Sequence, residues 1–164
     1  NYRLKISHSV KQREYILWKY GVLQDWILTE PKVYEKNQSV TVRTISHPEL
    51  TDLHRVFYKN KKKIIPENIK ELLNPLAIAV WFMDDGNIVR RNDKIIGLHL
   101  NTQSFTLREN KRLQDILNNV YKISTTIEKN HSYYRLAVWQ KLSRERFMEI
   151  IKPYILASMC YKIS

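Results

Sequence analysis

The sequence repeats itself, and a repeat limits the folds available to it. Glu35-Lys36-Asn37-Gln38-Ser39 returns as Glu128-Lys129-Asn130-His131-Ser132, an offset of about 93 residues. Both copies run into alternating segments, Val40-Thr41-Val42-Arg43 and Tyr134-Arg135-Leu136-Ala137-Val138. Upstream, Leu4-Lys5-Ile6-Ser7 matches Leu98-His99-Leu100-Asn101, and downstream Lys63-Ile64 matches Lys162-Ile163. The matches fall in the same order at nearly one offset, so each copy is expected to be one supersecondary unit.

The second copy reads as α-β-β-α-β-β-α. A helix over Pro75–Met83 is followed by a strand near Asn87–Val89 and another over Lys94–Gln103. Thr106 and Glu109 form a capping box for a helix whose apolar face is Leu113, Ile116 and Leu117. Strands Thr125–Lys129 and Tyr133–Trp139 make a hairpin across Asn130-His131-Ser132. Ser143 is expected to cap a last helix, with Phe147, Ile150 and Ile151 inward and Pro153 as its stop. The first copy has a strand over Tyr2–Ser7, a helix near Lys11–Leu23, strands near Lys32–Tyr34 and Ser39–Ile45, and a helix near Pro48–Tyr58. It lacks the opening helix and first strand. The expected class is α+β, with residues 1–73 an incomplete first half and 74–164 a complete second half.

The helix that opens the second copy carries the chemistry. Asn74 is a good N-cap, Pro75 suits the first helical position, and Gly86 suits the position past the end. Asp84 and Asp85 then lie at the last turn, where the helix dipole disfavours negative charge. A cation must offset them. Mg²⁺ is a candidate because it takes one or two carboxylates plus water and phosphate oxygens. The competing reading is an ordinary exposed helix end. Subtracting the repeat offset from Asp85 places its counterpart just before Asn1, so a second acid is expected on an N-terminal segment outside these residues.

Charge points to the partner. The formal net charge is +12, yet 43% of residues are hydrophobic. The sequence pI is near 9.8, above the value of about 9 that marks a nucleic-acid footprint. A folded domain with a polyanionic partner fits better than a disordered basic tail. The longest apolar run, Pro75–Met83, is too short to span a bilayer, so no membrane is expected. The single cysteine, Cys160, has no internal disulfide partner and fits a small buried hydrophobe.

Alternation sorts the strand faces. Leu4, Ile6, Val40, Val42, Leu98, Leu100, Leu136 and Val138 are expected inward. Arg3, Lys5, Arg43, His99, Asn101, Gln103 and Arg135 then face outward, with Arg90, Arg91 and Lys129 as further basic candidates. Arg, Asn and Gln suit guanine and adenine edges in the major groove. Alternation does not say which of them reads a base and which holds a phosphate.

The blocks Trp81-Phe82-Met83-Asp84-Asp85-Gly86, Leu100-Asn101-Thr102-Gln103-Ser104-Phe105, Ile151-Lys152-Pro153-Tyr154 and Met159-Cys160-Tyr161-Lys162 occur in order along nearly the whole chain. In these blocks the sequence resembles the LAGLIDADG homing endonucleases, nearest the branch of the yeast mitochondrial omega-intron endonuclease. The resemblance implies a pseudo-twofold saddle over the major groove of double-stranded DNA. Two motif helices would each deliver one acid for Mg²⁺-dependent cutting of both strands. It implies Asp85 as the metal-binding catalytic acid, and Lys63 and Lys162 as basic residues near the cleavage site. With one motif helix, these residues would hold half an active site, completed by a missing N-terminal motif segment in cis or from another chain. The alternative is an RNA-binding relative, an intron maturase or a component bound to ribosomal RNA. Richness in Lys, Ile, Asn and Tyr fits an AT-rich organellar gene, with the mitochondrial matrix as the expected location.

Overall fold

The computed structural model describes residues 1–164, the side chain of Asn130 excepted. The chain packs as two units, Asn1–Lys61 and Lys62–Ser164.

The first unit contains β1 (Lys5–Ser9), α1 (Arg13–Val22), β2 (Lys32–Tyr34), β3 (Ser39–Arg43), α2 (Pro48–Phe57) and the short β4 (Tyr58–Lys59). Its sheet runs β1-β3-β2, and β3 pairs antiparallel with both neighbours. Alternation on β3 turns Val40 and Val42 onto Ile16 and Ile27, and these four form the buried cluster of the unit. Leu4, expected inward, is 41% exposed, although its carbonyl accepts from the Thr44 N–H (3.0 Å).

The second unit contains β5 (Lys62–Lys63), α3 (Ile69–Leu72), α4 (Pro75–Asp85), β6 (Gly86–Arg91), β7 (Lys94–Leu100), α5 (Leu107–Asn119), β8 (Thr126–Asn130), β9 (Tyr133–Val138) and α6 (Lys141–Ile151). Its antiparallel sheet runs β6-β7-β9-β8. Leu98, Leu100, Leu136 and Val138 share one face and pack with Ile78, Phe82, Leu113, Leu117, Phe147 and Ile151. Phe82 of α4 meets Phe147 of α6 edge to face at 5.3 Å.

From β1 to α2 the first unit matches the stretch from β7 to α6 of the second. In both sheets the last strand of this run pairs with the other two. The first unit has no counterpart of α4 or β6 among the described residues. The repeat places the midpoint at 73/74, whereas packing divides the chain at 61/62. Ile65, Ile69 and Leu73 are buried in the second core. The Ile65 N–H donates to Glu109 Oε1 (2.8 Å), Arg112 Nη1 donates to the Ile65 carbonyl (3.0 Å), and the Tyr121 hydroxyl donates to the Leu73 carbonyl.

The local signals have physical outcomes. Asn74 Oδ1 accepts from the Ala77 N–H at 2.9 Å, as an N-cap should. The Thr106–Glu109 capping box forms in both directions. Ser143 does not cap α6. That helix starts at Lys141 after Gln140, and Ser143 is buried with its Oγ accepting from the Ser124 N–H (2.9 Å). Gly86 ends α4 with an ordinary φ of −87°. Its requirement is space, since a Cβ there would collide with the Phe82 ring and carbonyl.

Candidate nucleic-acid interface and motif-helix carboxylate

Helix α4 is apolar around most of its surface and ends abruptly at Asp84 and Asp85, both exposed. Its C-terminal carbonyls are satisfied from two directions. The Asp85 carbonyl accepts from the Asn101 backbone N–H (3.2 Å) and from Asn101 Nδ2 (2.7 Å). The Gly86 carbonyl accepts from Lys162 Nζ at 2.9 Å. The cation demanded by the helix dipole is therefore supplied in part by the protein, as the Lys162 ammonium.

The Asp85 carboxylate makes no hydrogen bond or ion pair among the described residues. No group of three or more His, Cys, Asp or Glu side chains among them could cage a metal. One exposed, unengaged hard-oxygen donor fits a divalent ion that takes its remaining ligands from water, phosphate and a second acid. Lys63 is exposed, its Nζ 6.0 Å from the centroid of the Phe105 ring. No hydrogen bond or ion pair joins it to Asp85 among the described residues.

The outer face of the second sheet departs from expectation. Read from the residues, it is a wet face with His99, Asn101, Gln103 and Arg135 free to touch a ligand. In the structure these side chains bond to one another and to their neighbours. Gln103 Nε2 donates to Asn101 Oδ1 (3.2 Å), and Asn101 Nδ2 reaches Asn87 Oδ1 (3.3 Å). Asn87 Nδ2 lies 3.5 Å from His99 Nδ1. His99 is only 6% exposed and lies edge to face with Trp139 at 5.5 Å. Trp139 fills the space over Gly97, where a Cβ would collide with its ring. Alternation placed His99 on the correct face but could not reveal the indole covering it.

On the edge strand of this face is a residue that sequence reasoning missed. Glu128 Oε2 accepts from Arg135 Nε at 3.0 Å and is ion-paired with Nη2 at 3.0 Å, and Oε1 accepts from Trp139 Nε1 at 2.7 Å. His99 Nε2 approaches Oε2 at 3.4 Å without forming a hydrogen bond. Burial, and then the Arg135 guanidinium, push the His99 pKa below its usual 6.5 against an opposing pull from Glu128. The imidazole is neutral at pH 7, so Arg135 carries the positive charge that balances Glu128. The signal lay in the hairpin: β8 and β9 pair with Glu128 opposite Arg135 and Asn130 opposite Tyr133. Only His131 and Ser132 are left in the turn, with His131 at φ 56°. A three-residue turn, as expected from sequence, slips this register by one.

Elsewhere the basic candidates are exposed. Arg90 and Arg91 end β6, and Arg90 Nη1 donates to the Asp93 carbonyl (2.8 Å). Lys129 is exposed on β8. In the first unit Lys5 stands opposite Arg43. Arg3 and Arg43, with Lys32, Tyr34 and Thr41, line an open groove of about 300 Å³.

Comparisons with known proteins agree with this architecture. The chain is 36% identical over 121 residues to the cytochrome b mRNA maturase bI2 of Debaryomyces hansenii, which covers 73% of this chain and 44% of that protein. It is 27% identical over 184 residues to the DNA endonuclease I-ChuI of Chlamydomonas applanata, covering 99% of this chain and 84% of that one. Among solved structures, the homing endonuclease I-WcaI bound to its DNA recognition sequence superposes with a TM-score of 0.89 at 27% identity, covering 99% of this chain and 75% of its own. The chain thus spans less than half of the maturase and most of the two endonucleases. The LAGLIDADG DNA endonuclease family matches residues 1–145, and the chain belongs to that family.

Proposed function

We propose that this chain provides one motif helix and the DNA-binding faces of a site-specific double-strand DNA endonuclease. The observation that carries the reading is Asp85: an exposed, unengaged carboxylate at the C-terminus of an apolar helix, next to a Gly86 whose carbonyl accepts from the Lys162 ammonium. Similarity to I-ChuI and to DNA-bound I-WcaI supports DNA as the ligand. Divalent metal ions are general in this family, and Mg²⁺ is the proposed ion here. When bound, it lowers the pKa of an attacking water and stabilises the leaving 3′ oxygen. Asp85 would supply one carboxylate ligand to that ion. Lys162 and Lys63, counterparts in the repeat, supply positive charge for the phosphate as it gains negative charge. Asn101 fixes the peptide that carries Asp85. Arg3, Lys5, Arg43, Arg90, Arg91 and Lys129 engage the phosphate backbone or base edges.

Cutting both strands requires a second acid, and we assign it to a further motif helix, in cis or from another chain. The test is plasmid cleavage in Mg²⁺ by residues 1–164 with and without a polypeptide bearing that helix. Cleavage is expected only in the combination, and Asp85→Asn should reduce it more than about 100-fold while leaving DNA binding intact. Cleavage by the Asp85→Asn protein at a near-normal rate would overturn the assignment.

A second reading has its own support. The similarity to a cytochrome b mRNA maturase favours binding to intron RNA, which needs the basic faces but not Asp85. A splicing defect from face substitutions, with none from Asp85→Asn, would select it. An organellar, mitochondrial origin is proposed on the same similarity.

A further inference from the structure

We infer that Glu128 is a positioning residue for target reading. It grips the Arg135 guanidinium by one edge, so that the opposite pair of donors is presented in a fixed direction to a guanine in the major groove. The inference rests on the reading that double-stranded DNA lies against this face.

A guanidinium has five N–H donors in a rigid planar fork. Glu128 Oε2 accepts the Nε–H at 3.0 Å and is ion-paired with Nη2 at 3.0 Å. The Nη1 and Nη2 donors remain. Of these, the outer Nη2–H and the neighbouring Nη1–H run parallel in the guanidinium plane, the geometry that fits guanine O6 and N7. The gripping carboxylate is itself held. Oε1 accepts from Trp139 Nε1 at 2.7 Å, and the backbone register sets Glu128 directly opposite Arg135. Trp139 is seated over Gly97. The side chains of Arg135 and Glu128 keep 27% and 24% of their surface exposed, so the pair is anchored but accessible.

Two functional consequences separate this role from a merely structural one. A long, flexible arginine loses rotamer freedom when it docks on a base. Here Glu128 has already removed much of that freedom, so base discrimination gains. A carboxylate on a DNA face also repels phosphate, so its removal should strengthen binding that ignores sequence. A structural residue, when lost, weakens both.

The test is selection of a randomised duplex library by residues 1–164, wild type against Glu128→Gln and Arg135→Lys. Wild type should enrich guanine at one position. Glu128→Gln keeps the shape but loses the charge, and with one acceptor oxygen in place of two it can accept from only one of Arg135 and Trp139. It should lower the guanine preference there by at least about fivefold, leave other enriched positions unchanged, and bind unselected duplex as tightly or more tightly. Arg135→Lys keeps the charge but lacks the fork, and should lose the same position. Full guanine preference in either variant overturns the inference. So does an equal loss at every position in Glu128→Gln, or a gain in guanine preference, which would mean that Glu128 withholds Arg135 from DNA. A wild-type chain that binds no duplex, alone or together with the polypeptide bearing the further motif helix, defeats the functional reading itself, and the inference falls with it.

Discussion

Two helices in equivalent places of the repeat, α2 and α6, differ in what they bury. Helix α6 buries Ser143, Phe147 and Ile151, and its Phe147 meets Phe82 of α4. Helix α2 is amphipathic, yet buries no residue: Leu53 is 50% and Val56 38% exposed. The sheets differ in the same sense. The second has four strands and an extensive core, while the first has three strands and a core built from Ile16, Ile27, Val40 and Val42. Their outer faces differ as well. Ser7, Thr41, Lys5 and Arg43 leave the first sheet's face short and basic, whereas Glu128, Arg135, His99 and Trp139 build a bonded layer over the second. A repeat thus preserves element order and pairing more faithfully than it preserves burial. Burial depends on the neighbouring elements, and the first unit lacks counterparts of α4 and β6 among the described residues.

Core truncation should expose this contrast most strongly. Phe147→Ala should cost about 3–5 kcal/mol, and Ile16→Ala about 2–5 kcal/mol and toward the lower end, because a small cluster collapses more easily around a void. Chemical denaturation with hydrogen exchange should find the amides of β1 and β3 opening at lower free energy than those of β7 and β9. A single transition shared by every amide would break the comparison.

Gly86→Ala comes next. It forces a Cβ against Phe82 at the junction of α4 and β6, which the first unit does not contain, at a cost of about 1–3 kcal/mol. Thermal unfolding should register the loss in the second unit alone. A neutral effect would mean that the helix end shifts freely and that Asp85 is not rigidly placed.

The smallest effect is a pH dependence. Folding lowers the His99 pKa, so below about 6.5 the unfolded chain takes up the proton before the folded one does. The contribution of His99 to stability is complete above 6.5 and declines as pH falls below it. Denaturant midpoints between pH 7.5 and 5 should fall with pH, and His99→Gln should flatten the curve. An unchanged slope in that variant would show that the Trp139-covered layer is not closed to protons.

What was legible in the sequence was whatever depends on near neighbours. The Asn74 cap, the Thr106–Glu109 box and the apolar faces of β3, β7 and β9 are set by residues a few positions apart, and they formed as the pattern implied. The α+β class and the family followed from the same local blocks. Ser143 misled because a serine near a helix start has other uses, here bonding to Ser124 across the chain. Gly86 was placed correctly for the wrong reason, since steric contact with Phe82 cannot be read from spacing. Most of the candidate site depends on long-range bonds. The Lys162–Gly86 contact joins residues 76 positions apart. The Glu128–Arg135 pair was hidden by a one-residue error in the hairpin turn, which shifts every cross-strand partner.

That pair also restricts how the protein can evolve. Glu128 receives donors from both Arg135 and Trp139. A single change at Arg135 leaves the Glu128 carboxylate short of a counter-charge on a surface proposed to meet a polyanion, and a single change at Glu128 unfastens the arginine. Lineages acquiring a new preference through this corner of the sheet would have to cross an unfavourable intermediate or alter both positions together. Basic residues outside the layer, such as Arg91 or Lys129, can drift one at a time. If this face reads DNA as proposed, retargeting should proceed in small independent steps at the rim and in coupled jumps at this pair.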